Sequence, residues 1–172
     1  MSQEKTWDFF YVFKLCSLVD MVNERVEIDE KIKGLVGALN RVGFPTTGSC
    51  QGHEDYRAPA FWIKIGAEDL DGSLRIKMER LLTEFYENRL VEPDVKIETE
   101  NANYGFYIHN GGEAYKVWRE GVNEIATKIA NKEETKERFI NQEEKETRLT
   151  RLPIYQKEAE DFANFLNNKL VI

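Results

Sequence analysis

Two hydrophobic periods alternate along the chain and divide it into elements. The opening stretch, Trp7 to Val22, is apolar on nearly every side. Trp7, Phe10, Tyr11, Lys14, Leu18 and Met21 fit a helical spacing, although Phe9 to Leu15 would also serve as a buried strand. Ile32, Leu35, Val36 and Leu39 then form one stripe at i, i+3, i+4 and i+7. Asp29 is placed to cap that helix, Gly43 to end it in a left-handed turn, and Pro45 to forbid its continuation. Phe61, Ile63 and Ile65 alternate with Trp62 and Lys64, which predicts a half-buried strand. A helix opening at Asp69 or Asp71 carries Leu74, Met78, Leu81, Leu82 and Phe85 on one face.

Val95, Ile97 and Thr99 predict another strand, and Asn101-Ala102-Asn103 turns it into a hairpin partner over Tyr104 to Ile108. Asn110-Gly111-Gly112 ends that strand and starts a helix with Tyr115, Trp118, Val122, Ile125 and Ile129 inward. This order predicts an α+β fold: a small antiparallel or mixed sheet covered by helices, which are expected on one face. From Lys132 to Arg148, 11 of 17 residues are charged, so this stretch is expected to be a solvated helix interrupted at Leu152-Pro153. A last amphipathic helix presents Tyr155, Ala159, Phe162, Leu166 and Leu170. The chain is thus expected to divide into an α+β domain over 1–131 and a C-terminal helical extension over 132–172. The terminal stripe needs a cover: a homodimer interface is the expected one, and packing on the main core, against Trp7–Val22, is the alternative.

Composition narrows the class. Charged residues are 32% and hydrophobic ones 41%, which fits a compact core with a charged extension rather than general disorder. No apolar run approaches the roughly 20 residues of a membrane span. The apolar Phe9–Cys16 stretch is short, with neither a basic front nor a small-residue cleavage site, so a cytoplasmic protein is expected. The two cysteines, Cys16 and Cys50, do not suggest a disulfide framework. A net charge of −7 disfavours non-specific nucleic-acid binding, which relies on neutralising phosphates.

The chemistry concentrates between Thr46 and Arg57. Gly48 and Gly52 bracket Ser49-Cys50-Gln51, so the backbone can turn tightly and present N–H groups. Thr47 and Ser49 add hydroxyls; His53, Glu54, Asp55 and Arg57 follow within a few residues. Four readings of this loop stand side by side. Cys50 is a small buried hydrophobe beside a polar turn, or the loop holds an anionic or nucleotide-like ligand. Alternatively Cys50 is a nucleophile with His53 or His109 as base, or Cys50, His53, His109 and a carboxylate hold a metal. The chain has two histidines, and a second ligand pair for a structural zinc site is missing, so no metal ligand is assigned. The candidate catalytic groups are Cys50, His53 and His109; the candidate ligand-binding residues are Thr47, Gly48, Ser49, Gly52, Asp55 and Arg57. His53 and His109 each follow a predicted strand, so both are expected at one end of the sheet, at the mouth of one cleft.

The span from Ile32 to His53 resembles the signature region of the wybutosine-synthesis tRNA methyltransferase family. A helix ending near Asn40 leads through Phe44-Pro45 to Thr46-Thr47-Gly48-Ser49-Cys50-Gln51-Gly52-His53. Thr47, Ser49, Cys50 and Gly52 match the family's loop; Gly48 and Gln51 stand where it has serines, and His53 where it has arginine. The likeness covers about one eighth of the chain. It implies a site for S-adenosylmethionine and a modified guanosine. The loop is also similar to Gly-Ser-Cys-x-Gly-His loops of small prokaryotic and phage proteins. The expected function is therefore a small-molecule or nucleotide-type binding site at 46–57, with a tRNA-modifying methyltransferase, a Cys/His hydrolase and a non-enzymatic interaction protein as alternatives.

Overall fold

The computed structural model describes residues 28–55, 57–66, 72–102, 104–131 and 141–169. The predicted helix or strand at Trp7–Val22 lies outside them. Helix α1 runs Glu30–Arg41 and buries Ile32, Leu35, Val36 and Leu39, the stripe read from the sequence. Gly43, at φ +89°, ends it as expected. Asn40 then ties the helix to the first strand: its Oδ1 accepts the Thr46 N–H at 3.2 Å, and its Nδ2 donates to Thr46 Oγ1 at 2.8 Å.

Strands β1 (Thr46–Cys50), β2 (Trp62–Ile65), β3 (Glu98–Asn101) and β4 (Phe106–His109) form one sheet in the order β1-β2-β4-β3. Every neighbouring pair is antiparallel. The β3–β4 hairpin is the one expected, but β3 begins at Glu98, after Val95 and Ile97. Those two side chains are buried ahead of the strand rather than on it. Charged Glu98 and Glu100 occupy this sheet edge, where they oppose pairing with another strand.

The alternation in β2 sorts two faces, and both are covered. Ile63 and Ile65 share a face with Phe106 and Ile108, packed against α1, α2 (Ser73–Tyr86) and the last helix. Trp62 and Tyr107 share the opposite face, covered by Tyr115 and Trp118 of α3 (Gly112–Ala130). Trp62 meets Tyr107 edge-on with ring centroids 5.9 Å apart. Helices therefore lie on both faces, not one, and β2 buries Trp62 as well as Ile63 and Ile65, leaving Lys64 half-buried. A tryptophan at a position predicted to face solvent was the trace of that second layer.

The final helix, α4, spans Gln142–Lys169 without a break at Pro153. An interior proline costs about 3 kcal/mol through the lost hydrogen bond and the ring clash. Against it stand Leu152 and Tyr155 at the proline and Phe162 and Leu166 beyond it, all buried. Each fully buried side chain of that size contributes roughly 1.5–3 kcal/mol, so packing outweighs the kink. Ala159, Phe162, Ala163 and Leu166 belong to the main core. Tyr155, Ala159, Phe162 and Leu166 of the stripe that suggested a dimer interface are buried within the chain, while Leu170 and residues 132–140 of the predicted charged helix lie outside the described residues. No helix among the described residues is long and apolar enough to cross a membrane.

Candidate functional site

Strand register places Cys50, Trp62, His109 and Glu98 on one row across the end of the sheet. Cys50 and His109 therefore lie at one end of the sheet. The row also separates them: Trp62 stands between Cys50 and His109, whose backbones are two strand spacings, about 10 Å, apart.

On the Cys50 side, the chain brings in a residue with no local claim to the site. The helix-opening Asp29 makes no side-chain cap to α1. Its Oδ2 instead accepts the Gln51 N–H at 2.9 Å, across 22 residues of sequence. Gln51 answers with its own side chain, whose Oε1 accepts the Lys31 N–H at 3.2 Å, so the helix start and the loop cap each other. Ligand atoms of Asp29, Cys50 and His53 then lie within 4.8 Å of one another. Cys50 is buried, with 4% of its surface exposed, and Asp29 and His53 are half-buried.

The loop is fixed from several directions. The His53 N–H donates to Ala58 O at 2.7 Å. Gly52 adopts φ +84° with the Ala60 backbone and Leu152 close against its Cα. Gln156 Nε2 donates to Gln51 O at 3.3 Å, and buried Arg148 of α4 donates to the carbonyls of Asp55 and Arg57. Burial lowers the His53 pKa, assisted by the Arg57 guanidinium and opposed by the Asp29 and Asp55 carboxylates.

The other expected ligand contacts fall differently. Thr47 is exposed. Gly48 is a residue of β1 at a register shift, not a turn. Ser49 pairs with Ile63 and Cys50 with Trp62, so their side chains leave β1 on opposite faces. The Gln51 and His53 N–H groups are committed to protein acceptors. Arg57 is held by Asp55, with Nε to both carboxylate oxygens at 3.0 Å and an ion pair at 2.9 Å. Burial pushes the Asp55 carboxyl up, but the Arg57 hydrogen bonds outweigh it and hold the pKa below its usual value.

His109 sits in a separate setting. It is 2% exposed and stacks on Tyr115 at 3.9 Å between ring centroids. Its Nε2 lies 3.8 Å from Glu100, whose other oxygen accepts from Arg119 Nε at 2.8 Å. A cleft of about 410 Å³ opens beside it, lined in part by Glu98, Glu100, Lys116 and Arg119. Burial lowers its pKa to about 4, with Arg119 and Lys116 adding to the shift and the Asn110 carbonyl opposing it. The contact with Glu100 is therefore not an ion pair at neutral pH. Because the folded pKa lies below the unfolded value of about 6.5, the unfolded chain takes up the proton first. His109 thus favours folding above pH 6.5, and that contribution is lost as pH falls toward 4. A titration of the His109 ring resonances should give a midpoint well below 6; an ordinary midpoint would contradict its burial.

No family model, curated protein or solved structure matches the chain. The chemistry must be read from the cluster itself. A thiol, an imidazole and a carboxylate at this spacing can serve as nucleophile, base and orienting group, or as three ligands of one cation. Asp29 is the member missed from sequence, because a helix-opening aspartate already has a sufficient local explanation in capping.

Proposed function

We propose that the protein binds a small molecule at the 46–57 loop, with Asp29, Cys50 and His53 as the groups that meet it. The convergence of these three side chains from two separate segments carries the reading. A rigid loop, braced by the start of α1 and by Gln156 and Arg148 of α4, favours a preorganised site over a protruding partner contact. A Cys/His hydrolase is the second reading, favoured by Asp29 completing a set of thiol, imidazole and carboxylate. The resemblance of the Thr47–His53 loop to the wybutosine-synthesis methyltransferases makes nucleosides, nucleotides and S-adenosylmethionine the first ligands to offer. We place the protein in the cytoplasm, where a buried thiol such as Cys50 stays reduced. Titration with these ligands should shift the His53 ring resonances and leave those of His109 in place. Unmoved His53 signals across all three ligand classes would overturn the nucleotide-type reading.

A further inference from the structure

The surroundings of Cys50 separate the chemistries open to the cluster. Cys50 closes an apolar, aromatic group with Ala58, Trp62, Tyr107, Tyr115 and Trp118. Apolar surroundings disfavour a thiolate. A bare nucleophile is therefore poorly served here. A divalent cation changes the balance, because coordination deprotonates the thiol outright. One thiolate, one carboxylate and a 2+ ion sum to zero, so the half-buried pocket then carries no uncompensated charge.

We propose that Asp29, Cys50 and His53 form a mononuclear zinc site with three protein ligands and one open position. The sequence supplies a Cys-x-x-His pair on the loop, and the fold adds the carboxylate from the start of α1. Thiolate with imidazole selects zinc over magnesium or calcium, which take oxygen ligands. Three protein ligands leave the fourth tetrahedral position for water or a substrate atom, as in catalytic rather than structural zinc sites. Tetrahedral zinc spaces sulfur and nitrogen ligands about 3.5 Å apart. The ligand atoms of Asp29, Cys50 and His53 lie within 4.8 Å of one another, near that spacing.

Outer contacts of the kind that metal ligands use are present. Asp29 Oδ2 accepts the Gln51 N–H, which orients the carboxylate and leaves its other oxygen for the ion. Gln51 is fixed in turn by the Lys31 N–H and by Gln156. His53 is held through its backbone by Ala58 O. His109 takes no part, being stacked on Tyr115 across Trp62.

This assignment deepens the proposed small-molecule site by naming its cofactor, and it is tested with metal alone. The full chain, stripped with chelator and titrated with Co²⁺, should bind one ion and show a thiolate-to-cobalt charge-transfer band with strong tetrahedral d–d absorption. Zn²⁺ should displace the cobalt stoichiometrically. Cys50→Ser should abolish the charge-transfer band, whereas Cys16→Ser should retain it. Asp29→Asn and His53→Gln, checked for native circular dichroism, should each weaken Zn²⁺ binding by at least about 100-fold, beyond what loss of an outer-shell contact costs. Absence of stoichiometric binding would overturn the zinc site, as would a charge-transfer band that survives Cys50→Ser or unchanged affinity in both folded variants. Ligand-induced shifts at His53 in metal-free protein would leave the small-molecule reading standing even then.

Discussion

Gly52→Val is expected to destabilise the protein by about 4 kcal/mol. Two independent penalties add at this position. The backbone sits at φ +84°, where a β-branched residue is strongly disfavoured. A Cβ there would also lie 2.5 Å from Leu152 Cδ2 and 2.9 Å from the carbonyl carbon of Ala60. Leu152 can turn aside, but the Ala60 backbone leads directly into β2 and cannot yield without moving the sheet. Gly48, a strand residue of β1, should tolerate alanine at a cost of about 1 kcal/mol or less. Urea unfolding of both variants measures the contrast. A Gly52→Val midpoint within experimental scatter of the parent would show that the loop does not make this turn.

Arg148→Ala should cost about 3 kcal/mol and loosen the loop before it unfolds the domain. Arg148 is 4% exposed, and its guanidinium donates to Asp55 O, to Arg57 O at 2.7 Å and to Glu144 at 2.7 Å. Removing it strands two loop carbonyls and opens a gap between α4 and the loop. Lysine should rescue little, since a single ammonium cannot reproduce the planar fork that reaches both carbonyls. Hydrogen exchange at the His53 amide, bonded to Ala58 O, reads the local effect. Faster exchange there than in α1 is expected; uniform acceleration would mean that Arg148 acts only on global stability.

Arg148 also shows where the sequence becomes hard to read. It ends the most charged stretch of the chain, and composition alone assigns such a residue to solvent. Its burial follows from loop carbonyls more than 90 residues away that need a donor. Local patterns fared better. The apolar stripe of α1, the Gly43 stop and the β3–β4 hairpin each depend on neighbours within a few positions, and each is present. Pro153 misled because its penalty is local, whereas Phe162 and Leu166, which outweigh it, act through the distant core. The site divides the same way. Cys50 and His53 are legible as a pair on one glycine-bearing loop. His109 is legible at the correct end of the sheet, but the tryptophan between it and Cys50 follows from strand order, which hydrophobic periods do not specify. Asp29 is recognisable as a helix opener and invisible as a site residue, since its carboxylate is redirected by a loop amide 22 positions away.

That redirection underlies the whole functional reading, and the proton affinity of His53 reports on it directly. In metal-free protein the neighbouring Asp29 carboxylate raises the His53 pKa while Arg57 lowers it, both superimposed on the larger lowering by burial. Asp29→Asn should therefore move the midpoint of the His53 ring titration further down, and Arg57→Gln should move it up. Asp29 makes no side-chain cap to α1, and native circular dichroism of the asparagine variant checks that the helix start is kept. A downward shift in Asp29→Asn is the predicted result. A His53 midpoint indifferent to Asp29 would contradict the convergence of Asp29, Cys50 and His53 on a single site.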